Sequence, residues 1–482
     1  MTSAASAHAN TAALYTWHVA LPQLERGRQL AAARDDSLAQ ALDAAPQGSA
    51  DARAIRVITQ SEPPSAALCQ STLSATAGKL DPLIHAALLQ RFALSVIDAR
   101  ASSRRGRRAA TFEPSDAFRA ISEALGIVDK EMRLLAADAR AAASARSTAP
   151  AAPVDPASLL PPEIFAELTI TFVRAALANQ DATAARAATD DLEARTERIE
   201  QDFVRFHALT SVAIARLADS RPDDALVPAA RARSLARQLG DLTGVWRAER
   251  IRAYAASAAG RAHSEEAAHR EVAALARRLA DDLSTTPSVR AEAALSELES
   301  RSVLARIALT SGRLALAEDQ AVGMIDRAAK TRAAGDADPS ALWEYEIDAR
   351  VTRMIVAGLP ESANAGRRKE VRTHSARGKR RAAGAEATGA LTAGERASVY
   401  DARRTEARTA IATAHRRERA LWWNTYVDDR HAYLLAANGR YARALRAAKR
   451  AHAGWVELGD EDLAASSARD IAQLERSIAA GR

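Results

Sequence analysis

The chain has 482 residues, 48% of them hydrophobic but only 4% aromatic, and about a quarter of it is Ala, the strongest helix former. Strands need the β-branched and aromatic residues that are scarce here, so the composition excludes most β-sandwiches and barrels and predicts an all-α protein. The net charge of +7 would suit nucleic acid, but most basic residues are interleaved with Asp and Glu, which gives that reading little weight.

In chain order, the first residues lack a basic run followed by an unbroken apolar one, because Trp17 and His18 fall where a signal core would sit. No stretch approaches the roughly 20 apolar residues of a membrane span, so a cytoplasmic chain with no membrane contact is expected. A single cysteine, Cys69, allows neither an internal disulfide nor a multi-thiolate metal site. With no basic neighbour in sequence, it reads as a buried or incidental thiol rather than a nucleophile.

Residues 1–145 are expected to form a helical N-terminal region carrying a basic cluster, Arg100, Arg104, Arg105, Arg107 and Arg108. Within it, Ile121, Leu125, Gly126, Ile127, Met132 and Leu135 follow the apolar-turn-apolar spacing of a helix-turn-helix. The turn would be at Gly126, with a second helix from Val128. Asp129 and Glu131 would then face phosphates and count against DNA reading; an ordinary α-hairpin behind a basic loop explains the same residues.

Residues 146–162 are rich in Pro and Ala and read as a linker, since each Pro removes a backbone donor and disfavours helix before it. Residues 163–360 show self-similarity. Turns centred on Gln180, Ser220, Gly260, Gly312 and, further on, Gly439 are each preceded seven residues earlier by a slim residue: Val173, Ala213, Ala253, Ala305 and Ala432. Five residues after the turn come Ala185, Ala225, Glu265, Ala317 and Ala444, and one helical step later Thr189, Ala229, His269, Ala321 and Ala448. Small residues at fixed places on both helices are what close antiparallel packing demands. Around Gly260, where Glu265 and His269 replace small residues, the register is expected to slip. Residues 361–394, with their basic run from Arg367 to Arg381, lack apolar periodicity and read as a disordered loop. Residues 395–482 supply a last repeat and a capping helix.

This pattern resembles the tetratricopeptide repeat family, best at His431 to Ala451, where Ala432, Gly439, Tyr441, Ala444, Ala448 and Ala451 fall on the family's small, turn and aromatic positions. Leu239-Gly240-Asp241 and Leu458-Gly459-Asp460 look like its inter-repeat turns. The resemblance implies an α-solenoid of antiparallel helix pairs that takes its ligands in a concave groove lined by the first helix of each pair. Carried over by position, that groove is lined by Arg174, His207, Thr210, Arg247, Arg250, Tyr254, Ser302 and Arg306. Four Arg in one trough imply an acidic or C-terminal-carboxylate peptide as partner, although Glu299 falls on the same face.

Catalytic signals are absent from the sequence. Gly78-Lys79-Leu80 lacks the rest of a phosphate-binding loop. His263 and His269, six residues apart, point away from one another, and Glu265 with His269 reads as a surface pair on a solvated helix face. Trp422, Trp423, Tyr426 and Tyr433 read as packing against the preceding helix. A non-enzymatic protein binding a protein or peptide partner is expected, with no catalytic residue, metal or cofactor. The alternative is a transcription regulator with an N-terminal helix-turn-helix and a repeat region that senses a partner.

Overall fold

The computed structural model describes residues 48–58, 64–103, 112–144, 162–335, 337, 339–359, 393–414 and 417–481. Among these residues there are seventeen α-helices and no strand. No described helix is long and apolar enough to cross a membrane. Arg104 to Arg108, the basic run from Arg367 to Arg381 and nearly all of the expected linker lie outside the described residues.

The chain divides into two compact units, residues 1–268 and 269–482. The first begins with α1 (Ala50–Ile58), α2 (Ala66–Ala75), α3 (Pro82–Ser103) and α4 (Pro114–Ser144). It continues with α5 (Pro162–Ala178), α6 (Ala182–Arg195), α7 (Asp202–Ala218), α8 (Pro222–Gln238) and α9 (Leu242–Ala258). The division falls inside α10 (Ala262–Asp281). The second unit goes on with α11 (Pro287–Thr310), α12 (Leu314–Ala334), α13 (Pro339–Gly358) and α14 (Ala393–Ala414). Its last helices are α15 (Arg417–Ala437), α16 (Tyr441–Glu457) and α17 (Glu461–Ala479).

From α1 to α9 in the first unit and from α11 to α17 in the second, each helix packs on its successor, and first helices also pack on one another: α5 on α7 and α7 on α9, then α11 on α13 and α13 on α15. The turns explain the pairing. Gln180, Ser220, Gly260, Gly312 and Gly439 all adopt left-handed backbone, with φ of 61°, 58°, 66°, 71° and 71°. That conformation ends a helix by turning the chain back on itself. Three helices are started by a capping side chain: Asp181, Asp241 and Asp460 accept from the N–H groups of Ala184, Gly244 and Leu463, whereas Arg221, Arg313 and Arg440 make no such bond. Gly240 and Gly459 supply the left-handed residue just ahead of two of these caps, so the Leu-Gly-Asp triplets are a helix stop and a helix start in three residues.

The small residues are buried where two helices meet. Ala213, Ala225, Ala229, Ala317, Ala321 and Ala444 are all 0% exposed. In the first unit a larger core gathers Ile55, Leu88, Phe92, Ile121, Val128, Ile164 and Leu168 from α1, α3, α4 and α5.

Two expectations are corrected. The segment expected to turn at Gly126 is continuous helix from Pro114 to Ser144, so there is no helix-turn-helix and no separate recognition helix. One Gly inside a helix costs about 1 kcal/mol, and burial of Ala117, Ile121, Ala124, Val128 and Met132 along one stripe outweighs it. His269 is not on a solvated face. It is 3% exposed, with Nδ1 3.3 Å from Ser300 Oγ, and the register does not slip there. Glu265 instead accepts from Ser257 Oγ at 2.9 Å.

Candidate partner-binding face

In the first unit the side chains of α5, α7 and α9 fall in register. Glu167, His207 and Arg247 each stand thirteen residues before a left-handed turn residue, Gln180, Ser220 and Gly260. Ile170, Thr210 and Arg250 come one helical step later, and Arg174, Ile214 and Tyr254 one step further. Six of these nine are the first-unit residues expected to line a groove.

His207 is the centre of the set. Burial, and then the positive charges of Arg247 and Arg174, push its ring down to about 3, so it is neutral at physiological pH. It packs edge-on against Phe203 and Phe206 at 4.5 and 5.3 Å, and its backbone oxygen accepts from the Thr210 hydroxyl at 2.9 Å. Arg174 pairs with Asp98 at 3.0 Å, with side chains 36% and 59% exposed, an arrangement worth little in water. The Arg250 guanidinium lies over the Trp246 ring at 5.2 Å, which fixes its direction. Ile214 and Tyr254 are exposed apolar surface in the same register.

Sequence reading missed Glu167. It is 3% exposed, and burial pushes its carboxyl up to about 8 against the pull of Arg174. Beside it Gln90 donates to the Glu167 backbone oxygen at 3.2 Å and to Thr171 Oγ1 at 2.9 Å. Position −13 of the first pair was readable from the turn spacing; its depth was not, since it depends on α3 packing over α5.

The remaining expected residues belong to the second unit and meet acids. Ser302 donates to Asp348 Oδ2 at 2.6 Å; burial raises that carboxyl, while Ser302 and Arg306 draw it back down. Burial also raises Asp429, with Arg430 opposing and Asp470 adding to the rise. The first helices of this unit therefore carry a mixed surface rather than a basic one. Trp422, Trp423 and Tyr426 pack together, Trp422 stacking on Tyr426 at 5.5 Å, and Trp423 Nε1 donates to Glu344 on α13 at 2.8 Å. Tyr433 stays 59% exposed, apart from that cluster.

A second feature is a set of buried acids on first helices, each held by several Arg. Glu249 meets Arg233 and Arg252 at 3.2 and 2.6 Å, and Glu346 meets Arg332 and Arg350 at 2.6 and 2.7 Å. Asp428 takes Arg404, Arg408 and Arg450 at 3.1, 2.8 and 3.3 Å. Much of the chain's Arg is thus structural.

The sequence matches no family model and no curated protein. Among solved structures, the chain is similar to a Rap protein complexed with Competence and Sporulation Factor, at 12% identity and a TM-score of 0.42, over 98% of this chain and 100% of that one. It is also similar to a signal transduction ATPase with numerous domains, bearing a tetratricopeptide repeat sensor, from Pyrococcus horikoshii. There the identity is 11% and the TM-score 0.43, over 90% of this chain and 55% of that one.

Proposed function

We propose that this chain is a non-enzymatic binding protein whose first unit holds an acidic segment of a protein or peptide partner on α5, α7 and α9. The observation that carries this reading is the common register of α5, α7 and α9, which sets Arg174 of α5 and Arg247 and Arg250 of α9 on the helices that flank His207 of α7. Positive charge from α5 and α9 is directed at one stretch of surface, and the neutral ring adds no third cation for those charges to repel. Arg forks match carboxylates in two hydrogen bonds, Arg250 adds a third guanidinium, and exposed Ile214 and Tyr254 give the segment apolar contact. Ser302 and Arg306, which meet Asp348, take no part in acid capture in this reading. The activity needs no metal or cofactor.

The test is fluorescence anisotropy with a fluorescein-labelled Asp/Glu-rich decapeptide and a Lys-rich one of equal length. The acidic peptide is expected to bind at low salt and to weaken as screening rises, while the basic one stays free. Equal binding of both peptides, or binding of neither, would overturn the reading.

A further inference from the structure

A cleft of about 420 Å³ opens between α2, α3 and α4 of the first unit, inside the range of about 300–1,000 Å³ that small ligands occupy. Its floor is apolar. Leu89 and Phe92 of α3 are buried there, Leu73 of α2 and Phe112 complete the wall, and the Phe92 and Phe112 rings meet edge to face at 5.2 Å.

The rim is polar and uneven in charge. Asp116 and Glu123 stand two turns apart on α4, with His85 across on α3 and Ser74 on α2. Asp116 is already engaged: Oδ2 accepts from the Glu113 backbone N–H at 2.9 Å, and Oδ1 faces Arg119 at 3.8 Å. Those two charges offset one another. Glu123 and His85 have no side-chain hydrogen bond or ion pair among the described residues, so the Glu123 carboxylate sets the charge of the cleft.

The geometry points to a binding site for a small organic cation, a primary amine carried on an aromatic or branched aliphatic body. The body lies on Leu73, Leu89, Phe92 and Phe112, and the ammonium donates to Glu123 and to a ring nitrogen of His85. An ammonium brings three donors and no acceptor, which suits a carboxylate and an imidazole nitrogen lining one cleft from two helices. A carboxylate on the same body would meet Glu123 as a like charge.

Saturation-transfer NMR on the full chain tests this with phenethylamine and hydrocinnamate, which share a phenylethyl body and differ in head-group charge. The amine is expected to bind, and the acid to bind at least about tenfold more weakly. Glu123→Gln should weaken the amine by about tenfold, through loss of one charge-assisted hydrogen bond. Ser74→Trp, placed on the exposed rim, should fill the cleft and abolish the signal while the helical circular dichroism is unchanged. Absence of amine binding, equal binding of the two compounds, or an amine signal unaffected by either variant would overturn the proposal.

Discussion

Arg327 and Glu297 form an ion pair at 2.6 Å with side chains only 7% and 2% exposed, and Arg327 reaches Asp281 at 2.8 Å with a second nitrogen. One guanidinium thus ties α12 to α11 and to the end of α10 within the second unit. Burying such charges costs desolvation energy, which their mutual attraction recovers only while both partners are present.

Arg327→Met is therefore expected to destabilise the chain by up to about 3–5 kcal/mol, because buried Glu297 keeps only Arg301, which meets its other oxygen at 2.8 Å. Adding Glu297→Leu should recover much of the loss. Urea unfolding of the single and double variants checks this; a single variant as stable as the wild type would mean that the pair contributes nothing.

Ala444 is 0% exposed among Ala432, Leu435, Ala447, Ala448 and Leu474. Ala444→Leu should overpack the contact between α15 and α16 and cost on the order of 1–3 kcal/mol. A melting temperature unchanged by the substitution would show that the two helices do not meet there.

The left-handed turns give a paired expectation. Ser220 occupies at φ 58° a conformation that Gly439 occupies at 71°. A side chain in that region costs roughly 1–2 kcal/mol, partly offset by the greater entropy that Gly has in the unfolded chain. Ser220→Gly should stabilise by up to about 1 kcal/mol, and Gly439→Ala should destabilise by about 1 kcal/mol. Thermal unfolding that shifted both variants in the same direction would contradict the turn geometry.

The buried titratable groups fix the sign of the pH dependence. His207 and His431 are held at about 3 and about 4, below the ordinary 6.5, burial being the main cause in each. The unfolded chain therefore binds protons on these rings that the folded chain refuses. Their contribution is present above the unfolded value and is lost as pH falls below it, each ring by up to about 1.4 kcal/mol per pH unit. His207→Gln should flatten the loss between about pH 6 and pH 4. Glu167 acts in the opposite sense: its folded carboxyl is raised from 4.5 to about 8, so stability is lost as pH rises through that window, and Glu167→Gln should remove the loss. Denaturant titrations across pH check both slopes.

What the sequence made legible was local. Turn positions and the small residues of helix pairs depend on spacing along one chain segment, and from Val173 to Ala448 the residues named for that role are buried, Glu265 excepted. What it hid was tertiary. Gly126 reads as a break until the buried stripe on either side of it is known, and His269 reads as exposed until Ser300 is placed against it. Glu167 and Glu249 look like surface acids in a helix pattern, yet neighbouring helices cover both. The eight expected positions lie on α5, α7, α9 and α11, but the acid that Ser302 and Arg306 meet, Asp348, comes from α13 and leaves no mark on that spacing.

The central claim is that Arg on the first helices of the first unit captures acid. Anisotropy of the labelled Asp/Glu-rich decapeptide against wild-type chain and the Arg247→Glu, Arg250→Glu double variant tests it most directly, with circular dichroism confirming that the variant is folded. The account predicts a folded variant whose affinity for the acidic peptide falls by at least about tenfold, and which gains affinity for the Lys-rich peptide. A folded variant that binds the acidic peptide as tightly as the wild type would contradict it.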